Sequence, residues 1–395
     1  MRYFLIAGEP SGDRLGASLM AGLRALDPDA SFAGVGGALM EDAGLTSLFP
    51  MEELSVMGIA EVLPKYRQLK RRIGQTAREI LQDPPDVLIT IDSPDFCLRV
   101  ARLVRAESRI RTVHYVAPTV WAWRPGRATK MAPLIDQVLA LFPFEPPYME
   151  AAGMRCDFVG HPVVAEPRVS ADERQAMRDG LGVADGAPLI VLLPGSRRGE
   201  ISRLLPVFGA ALEKVLSRHP DARVVLPAGR QVAGMVAEAC ADWKVRPIIL
   251  DPRGMEPDAA EARKRAALAA ADVALAASGT VSLELAAADT PMVIAYDMNW
   301  LSRRIMLPML RTDTVTLVNL VAESRTIPEF LADDCRPGPI AEALVNLMDD
   351  PAARDGQQGA MALTMERLGR GGEDPGLRAA RAVLDGLRER RSGGA

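Results

Sequence analysis

Cysteine and histidine are scarce in this 395-residue chain, which contains four of the first and three of the second. The cysteines have no paired spacing and stand at Cys97, Cys156, Cys240 and Cys335. This usage argues against a disulfide scaffold and is typical of a reducing cytoplasm. The histidines are dispersed and stand at His114, His161 and His219. Because they are so few and so far apart, we expect no metal site.

The chain also lacks long apolar runs and an excess of positive charge. No segment approaches the roughly 20 apolar residues that a membrane-spanning helix needs, and the formal net charge is −4. The negative balance disfavours a general nucleic-acid binder. The apolar run 3–7 is too short for a signal peptide and leads into a polar loop. We therefore expect a cytoplasmic protein that binds no nucleic acid.

The chain has instead a regular alternation of apolar runs and amphipathic segments, which predicts parallel sheets with helices on both faces. The predicted strands are 3–7, 32–35, 87–92, 112–116, 138–142, 157–160, 189–193, 222–227, 247–250, 273–276 and 291–296. An irregular, proline-containing stretch near 164–170 separates two such series. We predict the α/β class, with doubly wound domains at 1–165 and 171–338 and C-terminal helices in 339–395.

The first predicted strand leads into the sequence GEPSGD, residues 8–13. A strand, a glycine-containing turn and a helix begin many nucleotide sites, but this turn has neither the GxGxxG nor the GxxxxGK[ST] spacing. Its second residue, Glu9, would also repel a diphosphate. The turn is therefore a poor phosphate site, although ligands do bind beyond the carboxyl ends of parallel strands.

Two further segments of the first half place reactive or aromatic side chains after strands. Asp92 ends the strand 87–92, from which a carboxylate can act as a general base. The alternative, a turn or helix cap before the following proline, suits Asp95 better. The segment 115–127 holds Tyr115, Trp121 and Arg124. Aromatic rings beside guanidinium groups can stack on sugars and hold phosphates, although packing in the core also explains single tryptophans.

The second half contains two turns of small residues after strands. Gly195, Ser196 and Arg197 follow the strand 189–193 and offer backbone N–H groups and a guanidinium to an anion. An ordinary strand–helix turn explains the glycine and serine but not the arginine.

The second of these turns follows the strand 273–276 and has the residues Ser278, Gly279 and Thr280, with Glu284 in the next helix. Glu284 can accept both hydroxyls of a ribose. A helix cap with an acid in the first turn is the alternative. Because both turns lie in one domain, a binding site for a nucleoside diphosphate is the better explanation.

The segment 54–73 combines an apolar stripe with a basic flank. Val62, Leu63, Tyr66 and Leu69 share the stripe at helical spacing, and arginines and lysines lie beside it. Such a helix can lie in an anionic membrane interface. The alternative is that the stripe packs against the domain core, and the amino-acid pattern by itself favours this alternative.

The motifs, in this order, resemble the lipid-A-disaccharide synthase family. The match is carried by residues 8–13, 51–58, 91–96, 114–118, 120–124, 142–145, 158–162, 193–197 and 278–280, with Asn319 and Glu329. Together they span about 3–335. Pro10 and Val318 depart from the family pattern, and neither stands at the position of an expected reacting group.

The resemblance implies two facing Rossmann-like domains, the GT-B architecture. It implies an inverting glycosyltransferase that joins UDP-2,3-diacylglucosamine to 2,3-diacylglucosamine 1-phosphate (lipid X) without a cofactor. Asp92 is the expected base, with Glu9 as an orienting carboxylate or rival base. The resemblance also implies that Ser11 and Gly12 contact the acceptor sugar and that Asn319 contacts the uracil or the diphosphate of UDP.

Substrates with acyl chains lie in a bilayer, so the resemblance moves the interpretation of 54–73 towards peripheral contact with the inner leaflet of the cytoplasmic membrane. The sequence leaves open whether the protein forms a homo-oligomer. Two rival functions are a UDP-sugar 2-epimerase on the same architecture and a non-catalytic sugar-binding protein. An epimerase needs no second sugar, and carboxylates at strand ends argue against a purely binding role.

Overall fold

The structure, a computed structural model, describes residues 1–54, 59–299, 303–304 and 309–392, and for 59–66 and 390–392 it describes the helix only. The chain divides into two compact units. Unit 1 comprises Met1–Ala165 and Leu368–Ala395, and unit 2 comprises Glu166–Arg367. Each unit has its own parallel sheet and its own buried apolar core.

The sheet of unit 1 has the strand order β3-β2-β1-β4-β5-β6-β7, and its strands pair in parallel. Its strands are β1 (Arg2–Ala7), β2 (Ser31–Val35), β3 (Thr46–Ser47), β4 (Val87–Ile91), β5 (Arg111–Tyr115), β6 (Gln137–Ala140) and β7 (Arg155–Phe158). Strands β4, β5 and β6 are buried along their whole length. Covering of both faces of the sheet explains why burial does not alternate along these strands.

Helices lie between the strands of unit 1, and one more joins them from the C-terminal end of the chain. They are α1 (Pro10–Leu26), α2 (Ala38–Asp42), α3 (Ile59–Gln82), α4 (Pro94–Glu107), α5 (Gly126–Met131), α6 (Pro146–Glu150) and, from the C-terminal end of the chain, α15 (Pro375–Ser392). The last helix packs closely against α1. A Cβ atom on Gly22 would lie 2.5 Å from the Gly376 carbonyl oxygen, so only glycine permits this approach. Arg378 also donates to the Phe158 carbonyl, which holds the start of α15 near β7.

The sheet of unit 2 has the order β10-β9-β8-β11-β12-β13, again with parallel pairing. Its strands are β8 (Leu189–Leu193), β9 (Arg223–Pro227), β10 (Ile248–Leu250), β11 (Val273–Ala276), β12 (Met292–Tyr296) and β13 (Glu329–Leu331). This is the strand order of a Rossmann fold: successive strands extend the sheet from β8 to β10 on one side and from β11 to β13 on the other, so the order switches between β8 and β11.

The helices of unit 2 are α7 (Ala171–Gly180), α8 (Arg198–Arg218), α9 (Ala233–Cys240), α10 (Pro257–Ala270), α11 (Val281–Ala287), α12 (Leu317–Ala322), α13 (Pro337–Asp349) and α14 (Pro351–Arg367). Gln357 shows how α14 joins this unit. Its buried amide accepts from the N–H of Met292 and donates to the carbonyl of the same residue. The side chain thus completes the hydrogen bonding at the start of β12.

The predicted α/β class and the two doubly wound series are confirmed. The described part of the predicted C-terminal segment 339–395, up to residue 392, consists mainly of helices. It is not a separate domain, because α13 and α14 belong to unit 2 and α15 belongs to unit 1. The sequence prediction missed β3 and β13, which lie at the edges of the two sheets. Both are short, and their sequences, TS and EFL, form no continuous apolar run.

Candidate active site

The carboxyl ends of three neighbouring strands of unit 1 lie level with one another. Ala7 pairs with Ile91, and Ile91 pairs with Tyr115. The loops after β1, β4 and β5 therefore leave the sheet at the same edge. This edge is where open parallel sheets bind ligands.

Backbone strain marks the same edge. Asp92, Ser93 and Val116 have φ values of 49°, 41° and 82°, in the left-handed region that side chains other than glycine rarely adopt. Each such residue costs on the order of 1–3 kcal/mol, and such residues cluster at functional sites. Hydrogen bonds hold the conformation: the Asp92 N–H donates to the Tyr115 carbonyl, and the Val116 N–H to the Leu139 carbonyl, each at 3.0 Å.

Asp92 is half-buried directly after β4. Burial raises the pKa of its carboxyl, and the backbone N–H of Ser93 opposes that rise. Close packing fixes the neighbouring loop, since a Cβ atom on Gly8 would lie 2.5 Å from Ser93 Oγ. A partly desolvated carboxylate on a fixed loop has the properties of a general base.

The GEPSGD turn is divided between exposed and structural residues. Glu9 is half-buried immediately before α1, and Ser11 is exposed in its first turn. Gly12 is buried where α1 packs on the ends of β1 and β4. Asp13 is buried and accepts from the N–H groups of Gly37, Leu39 and Met40. The last acid of the motif thus caps α2 and fixes the loop after β2.

The side chain of Tyr115 is not accessible to a substrate. Its side chain is 1% exposed, and burial raises the pKa of its phenol. The predicted contact between Tyr115 and substrate is therefore wrong for the side chain: it belongs to the core of unit 1. Its neighbour His114 is also buried, with Nδ1 2.7 Å from Thr90 Oγ1, and burial lowers the pKa of His114 to about 4.

Trp121 belongs to an aromatic cluster that also contains Phe144 and Phe142. Trp121 and Phe144 meet edge to face at 5.2 Å between ring centroids, and Phe144 stacks on Phe142 at 5.3 Å. Arg124 is exposed, with its guanidinium 4.4 Å from the ring centroid of Trp123. The predicted pair of aromatic and cationic side chains is thus present, but the guanidinium covers the neighbouring tryptophan.

Glu145 lies beside this cluster and was not singled out from the sequence. It is 2% exposed and accepts from the N–H groups of Leu141 and Phe142, each at 3.0 Å. Burial raises the pKa of Glu145 to about 8, although those N–H groups and the nearby Trp121 indole act to lower it. Among the described residues the Trp121 indole N–H has no partner at normal hydrogen-bond distance. Only the motif 142–145 hinted at Glu145, without indicating burial.

The two small-residue turns of unit 2 also lie level with each other. Leu193 pairs with Ala276, and the Ala277 N–H donates to the Leu193 carbonyl at 2.8 Å. The turns that follow β8 and β11 therefore leave the sheet side by side. The structure brings together the two turns that the sequence predicted as an anion site.

In the first of these turns, Gly195 has a φ of 103° and leads into the 21-residue helix α8. Ser196 and Arg197 are exposed at the start of the helix, and the Arg197 side chain is 65% exposed. Backbone N–H groups, the helix N-terminus and an accessible guanidinium thus converge, which is the arrangement that binds phosphate.

In the second turn, Ser278 is half-buried, and Gly279 and Thr280 are exposed. Gly279 has a φ of 149°, and a Cβ atom there would meet no neighbour within 4 Å. Glu284 follows on α11, where its carboxylate lies 2.5 Å from Lys264 Nζ. Lys264 lies on α10 and was missed in the sequence, because 20 residues separate it from its partner.

Asn319 lies inside unit 2 and is 1% exposed. Its amide nitrogen donates to the Ile327 carbonyl and to Glu329, and its oxygen accepts from the Ile327 N–H. The predicted direct contact with UDP does not fit this geometry, because the amide is engaged within the protein. Glu329 also accepts from the N–H groups of Val315 and Thr316, so the pair shapes the loop before α12.

The predicted membrane stripe lies on α3. The side chains of Val62, Leu63 and Tyr66 are outside the described residues. Leu69 is half-buried and packs on the core of unit 1, and Ile73 belongs to that core. For Leu69 the packing alternative is therefore correct. Within the described ranges, no helix has both the length and the apolar character needed to cross a membrane.

Two parallel sheets with flanking helices define the class: this is the GT-B architecture. The structure of a UDP-GlcNAc 2-epimerase from Neisseria meningitidis matches with a TM-score of 0.64 at 11% identity, covering 98% of this chain and 100% of that one. A glycosyltransferase from Rickettsia africae matches with a TM-score of 0.59 at 12% identity, covering 98% and 97%. At these identities the likeness shows the fold alone.

The family follows from sequence. A family model described as Lipid-A-disaccharide synthetase matches residues 3–373. The lipid-A-disaccharide synthase of Ruegeria pomeroyi is 64% identical over 387 residues, covering 98% of this chain and 96% of that protein. The one of Rhodospirillum centenum is 48% identical, covering 98% and 95%. The chain belongs to the lipid-A-disaccharide synthase family and is a glycosyltransferase.

Proposed function

We propose that this chain transfers a 2,3-diacylglucosaminyl group from UDP to the 6-hydroxyl of 2,3-diacylglucosamine 1-phosphate. The products are a β-1′,6-linked disaccharide 1-phosphate and UDP. Beyond the family itself, one observation carries the proposal: the turns after β8 and β11 lie level, and the carboxylate Glu284 follows the second. That arrangement suits the diphosphate and ribose of a sugar nucleotide.

The reaction is a single displacement with inversion. The acceptor oxygen bonds to the anomeric carbon of the donor, whose bond to the phosphate oxygen breaks, and that electron pair leaves with UDP. The proton of the 6-hydroxyl passes to Asp92. Its raised pKa supports this role, because a base is most effective when its pKa is near the working pH.

Other groups of unit 1 serve the acceptor. Glu9 and Ser11 start α1 beside the Asp92 loop, and Gly12 can contribute only through its backbone. Glu9 orients the reacting sugar or is the competing base. Trp121 and Arg124 follow β5 and contact the sugar or its phosphate.

Groups of unit 2 hold the leaving UDP. Gly195 and Ser196 contribute backbone N–H groups, and Arg197 contributes its guanidinium. Together with the backbone of Ser278, Gly279 and Thr280, they form a binding site for the diphosphate, which we call the cradle. Glu284 binds the ribose, and Asn319 acts indirectly by shaping its loop. Because these groups stabilise the charge that develops on the diphosphate, we expect turnover to continue in EDTA. Activity that is lost in EDTA and restored by a divalent metal would contradict this.

The substrates carry acyl chains, so we further propose that the enzyme works in the cytoplasm at the inner leaflet, with Val62, Leu63 and Tyr66 as the contact. Co-sedimentation with anionic vesicles should fall in the double variant Val62→Ser/Leu63→Ser. The matched control is Leu103→Ser, at an exposed leucine on α4. Equal sedimentation of wild type and double variant would refute this contact.

The deciding experiment incubates the protein with UDP-2,3-diacylglucosamine, with and without lipid X. A transferase releases UDP and forms the disaccharide only when the acceptor is present. A 2-epimerase would alter the donor without the acceptor, and a sugar-binding protein would leave both unchanged. Absence of acceptor-dependent UDP release would refute the proposed function.

A further inference from the structure

The turn after β8 already holds an anion from its own chain. The Glu200 carboxylate, in the first turn of α8, accepts from the backbone N–H groups of Ser196 and Arg197, each at 3.3 Å. The Arg197 guanidinium lies 3.5 Å from the same carboxylate. These are the groups that the proposed function assigns to the diphosphate of UDP.

The fit is close. The Glu200 side chain is 13% exposed, and a Cβ atom on Gly195 would lie 2.5 Å from Glu200 Oε2. Glycine at 195 therefore lets the carboxylate lie directly on the turn. A diphosphate that used the same N–H groups would meet this negative charge, so the two anions exclude each other.

An alternative partner for the carboxylate is present one helical turn away. Arg203 lies three residues after Glu200 on α8, a spacing at which side chains meet. Its Nε is buried and has no hydrogen-bond partner among the described residues. Tyr296, at the end of β12, donates its hydroxyl to Glu200 at 3.5 Å. Burial raises the pKa of its phenol, Glu200 adds to that rise, and Arg197 and Arg203 oppose it.

We propose that Glu200 is an internal substitute for the diphosphate. Its carboxylate occupies the cradle in the unliganded protein and moves to Arg203 when the sugar nucleotide binds. This rests on the proposed UDP site. The exchange keeps the Glu200 carboxylate paired in both states. It also weakens UDP binding, because the nucleotide must displace a bound anion, and it thereby favours release of the product UDP.

The test measures binding of UDP and of uridine, which lacks the phosphates, by calorimetry. Glu200→Gln keeps an oxygen that can accept the two N–H groups but removes the charge. We expect it to bind UDP about tenfold more tightly, the scale of one charge-assisted hydrogen bond. Glu213→Gln, the same change on the same helix at an exposed ion pair with Lys244, is the control and should change nothing.

Arg203→Ala should weaken UDP binding several-fold in the wild-type background, because the displaced carboxylate loses its partner. In the Glu200→Gln background the same change should have no effect. Uridine should bind equally to all variants, and thermal unfolding confirms that each is folded.

Unchanged or weaker UDP binding by Glu200→Gln would overturn the proposal and leave Glu200 as a helix cap. Equal weakening by Arg203→Ala in both backgrounds would show that Arg203 contacts the diphosphate directly, which also overturns it. Failure of the UDP site itself looks different: wild type would then bind UDP no more tightly than uridine.

Discussion

Lys264 Nζ lies 2.5 Å from the Glu284 carboxylate and 3.6 Å from that of Glu261. The ammonium is partly buried, with 29% of its side chain exposed, and the two carboxylates raise its pKa against the opposing effect of burial. Helix α10 thus supplies a positive charge that fixes the proposed ribose-binding residue on α11. The position of Glu284 depends on a residue that belongs to another element.

This pair yields the first prediction. Lys264→Met should weaken UDP binding about three- to tenfold, because Glu284 loses the group that orients it. Lys244→Met, at an exposed ion pair of the same unit, is the control. Calorimetric titration with UDP measures both. If Lys264→Met binds UDP as wild type does, the pair is not part of the nucleotide site.

Asp92→Asn should leave a folded protein that binds UDP normally and turns over about 10²- to 10⁴-fold more slowly, since removal of a general base costs that much. Asp95→Asn, at an exposed position in the first turn of α4, is the control and should keep wild-type kcat. The disaccharide assay gives kcat for each variant. Wild-type turnover by Asp92→Asn would assign the base to another group, with Glu9 as the next to test.

Arg197→Ala should raise the Kd for UDP about tenfold or more, because a charge-assisted contact to the diphosphate is lost. Binding of uridine should not change. Arg218→Ala, exposed at the other end of the same helix, controls for loss of charge. An unaltered Kd for UDP in Arg197→Ala would remove the guanidinium from the cradle.

Activity should fall on the acid side of its pH profile as Asp92 becomes protonated. Because burial raises the pKa of Asp92, that limb should lie above the ordinary value of about 3.9 for an aspartate. The plot of kcat/KM against pH gives the pKa of the free enzyme. An acid limb at or below the ordinary value would contradict the burial of the base.

Stability should depend on the buried imidazole of His114. Its pKa is about 4 when folded and 6.5 when unfolded, so the unfolded chain binds the extra proton first as the pH falls. The stabilisation is complete above pH 6.5 and is lost between there and pH 4, a loss of about 3 kcal/mol.

His114→Asn keeps an acceptor near Thr90 but cannot titrate, so its free energy of unfolding should fall less over this range than that of wild type. Denaturant unfolding at several pH values measures the difference, and other titrating groups cancel in the comparison. Parallel pH curves for the two proteins would show that His114 is not the group responsible.

The sequence alone was sufficient for the architecture and for the positions of the turns after β4, β8 and β11. Continuous apolar runs are local signals, and burial of both sheet faces requires them, so the strands that end before Asp92, Gly195 and Ser278 could be predicted. Small or charged residues after such runs then predicted where ligands bind. The order of these motifs along the chain was specific enough to indicate the family.

Only the tertiary structure decided which side chains are accessible and which are engaged inside the protein. Tyr115 and Asn319 carry polar groups at expected positions, yet both are buried. Lys264 gave no sequence signal, and the motif that contains Glu145 did not indicate its burial. Their roles depend on Glu284 and on backbone N–H groups that the fold brings to them. A linear pattern records the period of burial along one element, whereas pairing between elements depends on how their side chains meet in three dimensions.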